Sequence, residues 1–224
     1  IPPMAFLLGE PQQESIHREI LNFVNSKGLL VVLSSPSGGG KSTLTRELRK
    51  VMPQIVYSVS VTTRPPRQGE QNGMDYRFVS EEEFQRMKDA DDLLEYAHVH
   101  GHWYGTPRSF IDRSLEQEKQ VLLDIDVQGG RRIKEIYPDS VLVFILPPSM
   151  SVLESRLRAR RLDDDETIAK RLRAAEQELE AARGYDYLVL NEKIGRAVDD
   201  LKCIIVAETL KMTRGIHPMV AKGA

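Results

Sequence analysis

The run Ser35-Pro36-Ser37-Gly38-Gly39-Gly40-Lys41-Ser42-Thr43 follows an apolar stretch, Leu29–Ser34, and leads into a helical pattern that ends before Pro53. Glycines let backbone N–H groups turn inward around a phosphate, and the following helix offers its positive N-terminal end to the same anion. Lys41 would reach the β- and γ-phosphates of a nucleotide, and the Ser42 hydroxyl would ligate Mg²⁺. The pattern G-x-x-x-x-G-K-[ST] calls for glycine at position 35, where this chain has serine. That residue only leads into the loop, so a slight distortion of the turn is expected and the cradle should survive. Val121-Leu122-Leu123-Asp124-Ile125-Asp126 is an apolar run ending in carboxylates, where Asp124 would hold hydrated Mg²⁺. Many strands end in Asp as a cap, so this run gains meaning only beside the loop. Arg64 and Arg67 flank a stiff Pro65-Pro66 pair, and their guanidinium groups can fork onto phosphate oxygens as lysine cannot. Taken alone, that segment would read as a surface loop with solvated arginines.

These groups need a frame. Leu29–Ser34, Ile55–Ser60, Val121–Asp126, Val141–Leu146 and Tyr187–Leu190 are short and rich in Val, Ile and Leu. Such near-continuous apolarity is what strands of a parallel sheet covered on both faces require. Helical patterns alternate with them. Ser80-Glu81-Glu82-Glu83 is a capping box, Thr106-Pro107 reads as a cap followed by Pro at the first helical position, and Ser149 precedes a further helix. A last helix is expected over about Ile194–Met212, with Val198, Leu201, Ile205 and Leu210 on one stripe, and Cys203 is expected on its apolar side. Ser15–Lys27 reads as another short helix. The alternation predicts a doubly wound α/β domain whose mainly parallel sheet has five strands. Two stretches break the rhythm, a mixed one at Val61–Tyr104 and an Arg-rich one at Arg156–Arg173, and both read as insertions at the mouth of the sheet.

Composition sets the outer bounds. The 224 residues carry 31 Lys+Arg against 33 Asp+Glu, a formal net charge of −2, with no general attraction to nucleic acid or an anionic membrane. The longest apolar run, Val141–Leu146, falls far short of the ~20 residues a membrane-spanning helix needs. A single cysteine fits a reducing compartment, and a soluble cytoplasmic protein is expected.

Ser58-Val59-Ser60-Val61-Thr62-Thr63-Arg64-Pro65-Pro66-Arg67-Gln68-Gly69-Glu70, then Asn72-Gly73-Met74-Asp75-Tyr76, Tyr104-Gly105-Thr106 and Leu123-Asp124-Ile125-Asp126-Val127-Gln128-Gly129, closely resemble guanylate kinase from about Leu29 to Leu210. The resemblance implies a P-loop NTPase core (28–60, 105–155 and 174–213), a mixed GMP-binding insertion (61–104) and a helical lid (156–173), after an N-terminal extension (1–27). It implies transfer of the γ-phosphoryl group from ATP to GMP or dGMP with Mg²⁺. Residues 35–43 and Asn191, near the adenine ring, would bind ATP. Ser60, Arg64, Arg67, Glu70, Tyr76, Glu95, Tyr104, Thr106 and Asp126 would bind GMP. Lys41, Arg64 and the lid arginines Arg156, Arg160 and Arg171 would act on the transferred group, and Ser42 and Asp124 would hold the metal.

The residues make independent sense of this. A nucleoside monophosphate, whose second pKa is about 6, is already ionised and needs no general base. The task is to bring two anions together, which calls for fixed positive charge. Guanine offers N1–H and an exocyclic amine, and a carboxylate such as Glu95 accepts from both. His98, His100 and His102 surround Gly101 in what reads as a hairpin, a poor metal site, and Trp103 should pack in the insertion or border the cleft. Two other readings stay open: a protein-interaction module of the same fold without turnover, and a kinase for another acceptor. Oligomeric state is not legible.

Overall fold

Leu29–Ser34 form β1, and all six residues are buried. The computed structural model describes residues 28–67, 69–99, 101–159, 164–211 and 214. The expected helix at Ser15–Lys27, together with Arg160 and His100, lies outside the described residues. Around β1 the chain builds a five-stranded parallel sheet from β2 (Val56–Tyr57), β7 (Gln120–Asp124), β8 (Val141–Leu146) and β9 (Tyr187–Leu190), in the order β2-β7-β1-β8-β9. Chain order reverses at β1, so a crevice opens beyond the carboxyl ends of β1 and its neighbours, where open α/β sheets bind ligands.

Both faces are covered, as continuous apolar strands require. On one side α1 (Lys41–Val51) and α7 (Ile194–Thr209) bury Leu44, Leu48, Val198, Leu201 and Ile205 against Val31, Leu33, Val143 and Ile145. On the other, α3 (Arg108–Glu116) and α4 (Val127–Ile136) bury Ile111 and Ile133 against Leu30, Val32, Leu123 and Leu142. Each such side chain contributes about 1.5–3 kcal/mol relative to exposure.

Between β2 and α3 the chain forms a second sheet, ordered β4-β3-β6-β5, from β3 (Val61–Thr62), β4 (Arg77–Phe78), β5 (Leu93–Val99) and β6 (His102–Pro107). Helix α2 (Glu81–Asp89) packs Phe84 onto Val61 and Leu93, with Trp103 stacked on Phe84. Ser80 caps α2 through the Glu83 N–H. His98 and His102 pair with Trp103 and Val99 across the β5–β6 hairpin, and His98 rests on the Trp103 ring. After β8, α5 (Met150–Ala159) and α6 (Asp165–Ala181) pack together through Leu153, Leu157, Leu172 and Ala175.

Several local expectations are corrected. The second strand is only Val56–Tyr57, because after the Ser58 N–H bonds the Leu122 carbonyl the chain departs toward the second sheet. The third ends at Asp124, and Asp126 instead caps α4 by accepting from the Gly129 N–H. Thr106 is not a helix cap: it lies in β6 with its hydroxyl committed to Glu95, and Pro107 takes the cap position. The last helix ends at Thr209, and Leu210 is exposed. Cys203 is exposed, not buried, because it lies two residues, or about 200°, from both Leu201 and Ile205 on the helix. Among the described residues, no helix is long and apolar enough to cross a membrane.

Candidate active site

The loop after β1 is shaped by its glycines. Gly38 and Gly40 have φ of 88° and 93°, and α1 begins directly at Lys41. Ser35, at the departure from the usual pattern, is buried with its hydroxyl donating to the Pro36 carbonyl at 3.1 Å. That carbonyl also accepts from the Gly39 N–H at 2.8 Å, so the serine is accommodated inside the turn. Ser35→Gly is therefore expected to change the KM for a nucleoside triphosphate by about fivefold or less, since one neutral hydrogen bond contributes about 1 kcal/mol. Steady-state kinetics would check this, and loss of activity would show the hydroxyl to be required.

Lys41 Nζ lies 2.8 Å from Asp124 Oδ1 and donates to the Ile125 carbonyl at 2.5 Å, across the crevice at the end of β7. Asp124 also accepts from the Thr45 hydroxyl at 3.2 Å. Ser42 and Asp124 line one cavity, and a hydroxyl with a carboxylate is the hard oxygen donor set that suits Mg²⁺, an ion that keeps several of its waters.

The cavity, of about 190 Å³, runs from Lys41, Ser42 and Asp124 to Ser60, Tyr76, Glu95, Tyr104 and Asp126. Both tyrosines meet edge to face with ring centroids 5.9 Å apart. Burial foremost, aided by the charge of Asp124, pushes the Tyr76 hydroxyl up to about 12, so it remains a donor at neutral pH. Glu95 is buried, accepts from the Thr106 hydroxyl at 2.5 Å, and has its pKa raised to about 7 by burial. Gly129, in the first turn of α4, leaves room for it: a Cβ there would sit 2.8 Å from Glu95 Oε2.

Arg64 and Arg67 do not line this cavity. Arg64 is buried behind it, with its guanidinium 5.4 Å from the Tyr76 ring centre and bidentate on Glu70 at 2.8 and 3.0 Å. Glu70 also accepts from the Arg67 N–H at 2.7 Å. Burial pushes its pKa up, but these hydrogen bonds outweigh that and hold it below the usual carboxylate range. Its carboxylate faces the two arginines, making it the brace of the arginine loop, while Arg67 is exposed.

On the other side of the loop, Leu157 and Leu153 pack beside Gly38. Arg156 donates to the carbonyls of Gly39 at 3.3 Å and Asn191 at 3.2 Å. Asn191 is buried beneath the loop. Arg171 is half-buried on α6. Sequence reasoning missed Glu178, whose carboxylate accepts from the Ser37 N–H at 3.3 Å. Burial raises its pKa, and the charge of Asp126 adds to this against the opposing pull of the Ser37 hydrogen bond and Lys41. The signal was present, since Glu178 lies seven residues, two helical turns, after Arg171.

A phosphate loop at the switch point of a parallel sheet, opening into a cavity lined by a second sheet, defines a P-loop phosphotransferase of the nucleoside monophosphate kinase class. The guanylate kinase family model matches residues 27–208. The chain is 45% identical over 197 residues to the guanylate kinase of Carboxydothermus hydrogenoformans, covering 88% of this chain and 97% of that protein. It is 47% identical over 194 residues to that of Myxococcus xanthus, covering 86% and 93%. The crystal structure of guanylate kinase from Anaplasma phagocytophilum superposes with a TM-score of 0.71 at 38% identity, covering 84% of this chain and 90% of that one. The chain belongs to the guanylate kinase family, and its reaction is phosphoryl transfer from ATP to GMP. Nothing in these likenesses supports a non-catalytic interaction module.

Proposed function

We propose that this enzyme is cytoplasmic and works with MgATP on GMP and dGMP through a division of labour among the residues above. The observation that carries this reading is the single cavity joining Lys41, Ser42 and Asp124 to Ser60, Tyr76, Glu95 and Tyr104. Residues 35–43 bind the ATP phosphates, and Lys41 leaves Asp124 to meet the β- and γ-oxygens. Ser42 and Asp124 would hold Mg²⁺, which would supply charge neutralisation on the phosphates. The Tyr76 and Tyr104 hydroxyls hold the acceptor phosphate from the cavity wall, and Arg64 and Arg67, which lie outside that lining, turn from Glu70 onto the same phosphate. Glu95 takes the two guanine donors, supported by Thr106, Ser60 and Asp126. Arg156, Arg160 and Arg171 meet charge that develops on the transferred group. The division is a core of residues 28–60, 105–155 and 174–213, an acceptor insertion at 61–104 and a lid at 156–173. Lid closure excludes the water that would otherwise compete as acceptor.

The raised pKa of Glu95 supplies a test. Below about pH 7 its carboxyl is neutral in the free protein and presents an O–H toward guanine's own donors. Only the charged form pairs with both donors, so GMP binding weakens as pH falls through that value. The KM for GMP should rise about tenfold between pH 8 and pH 6, following the protonated fraction. The GMP phosphate titrates nearby, so Glu95→Gln is the control and should show a flatter profile. A wild-type profile no steeper than that of Glu95→Gln would remove Glu95 from base recognition.

A further inference from the structure

We propose that Glu178 is a positioning residue that ties helix α6 to the entry of the phosphate loop, so that Arg171 and the phosphates of ATP share one frame. This rests on the readings above of the loop as the ATP site and of Arg171 as a phosphate-facing arginine. Helix α6 begins in the proposed lid, where it carries Arg171, and ends in the core, where it carries Glu178. Glu178 Oε2 accepts from the Ser37 N–H at 3.3 Å, the first loop residue after Pro36. Glu178 is half-buried, and the charges of Lys41 and Asp126 both act on its carboxylate, which sets it at the crevice. The N–H groups at the start of α1, from Lys41 on, are left for the phosphates.

Packing carries the tie further. Three successive loop residues meet the α5–α6 pair: Ser37 through Glu178, Gly38 beside Leu153 and Leu157, and the Gly39 carbonyl through Arg156 at 3.3 Å. The fit at Gly38 is close, since a Cβ there would come within 3.0 Å of Leu157 and 3.1 Å of Leu153. On α6, Arg171, Ala175 and Glu178 follow one another at helical spacing, which puts them on one face. Ala175 is buried against Leu153 and Leu157, so this face is the one that packs on α5. Arg171 and Glu178 are two turns, about 10 Å, apart on a single continuous helix. Holding the Glu178 end against Ser37 therefore fixes where the Arg171 end stands relative to the loop.

Two variants and a double-mutant cycle test this. Glu178→Ala removes the acceptor, whereas Glu178→Gln keeps an amide oxygen that can take the same N–H. At saturating GMP, Glu178→Ala should lower kcat/KM for ATP about tenfold, the low end for a hydrogen bond to a charged group. Glu178→Gln should lower it by no more than about threefold, and the KM for GMP should stay within about twofold in both. When Arg171→Ala is added to Glu178→Ala, the combined loss should be at least about threefold smaller than the product of the single losses. Losses that simply multiply would mean that the two residues act separately, and would overturn the proposal. So would equal losses in the alanine and glutamine variants, unchanged kinetics in Glu178→Ala, or a failure of that variant to fold. A lower KM for ATP in either variant would also overturn it, by making Glu178 an anion that only competes for the loop. Arg171→Ala with wild-type kcat, or a wild-type protein inert with ATP, would overturn the underlying readings, which is a separate outcome.

Discussion

Lys41→Ala is expected to lower kcat by about three orders of magnitude while leaving the KM for GMP within about threefold of wild type. Removing one preorganised donor from a phosphoryl-transfer site costs about 10²–10³ in rate, and Lys41 supplies a full positive charge where charge develops. The ammonium already sits at the junction of the two halves of the cavity, between Asp124 and the Ile125 carbonyl. Breaking that ion pair leaves Asp124 its Thr45 hydrogen bond, and the lysine is no part of the apolar core, so the fold should survive. Single-turnover rates at saturating ATP and GMP, with thermal unfolding on the same samples, would check this. A variant with near-normal kcat would exclude Lys41 from the mechanism.

The second large effect separates base choice from phosphate capture. Glu95→Gln should lower kcat/KM for GMP by about 1–3 kcal/mol, one to two decades, because the amide sets a donor against a guanine donor in a buried site. AMP, with an acceptor at N1, should lose less. Arg67→Ala should weaken GMP and AMP by similar factors, because both carry the same phosphate. Arg67 is exposed and Glu95 is buried. Equal losses for GMP and AMP in Glu95→Gln would mean that Glu95 does not read guanine. Gly129→Ala should reproduce part of the Glu95 effect, since its Cβ would meet that carboxylate.

The parallel sheet was legible because strands covered on both faces must be apolar throughout, and Leu29–Ser34 and Val141–Leu146 meet that condition over their full length. The loop was legible because its chemistry is local in sequence. What escaped were properties set by distant partners. Thr106 looks like a cap until Glu95, eleven residues earlier in the chain and across a hairpin, takes its hydroxyl. Glu70, expected to bind GMP, accepts from the Arg64 guanidinium and the Arg67 backbone N–H. Cys203, expected on the apolar side of its helix, is exposed, because helical geometry puts it opposite Leu201 and Ile205. Glu178 and the contact of Asn191 with Gly39 join residues 141 and 152 positions apart, beyond the reach of any local pattern.

Phosphate capture and guanine choice are proposed to share one cavity. The most direct measurement is kcat/KM of the wild-type protein with MgATP for GMP, dGMP, AMP and UMP under identical conditions. GDP formation from GMP is expected, with weaker turnover of dGMP and preference for GMP over AMP and UMP by at least about a hundredfold, the scale set by a mismatched buried polar site. Comparable values for GMP and AMP would contradict it, since the arginines would then be gripping the phosphate without Glu95 choosing the base.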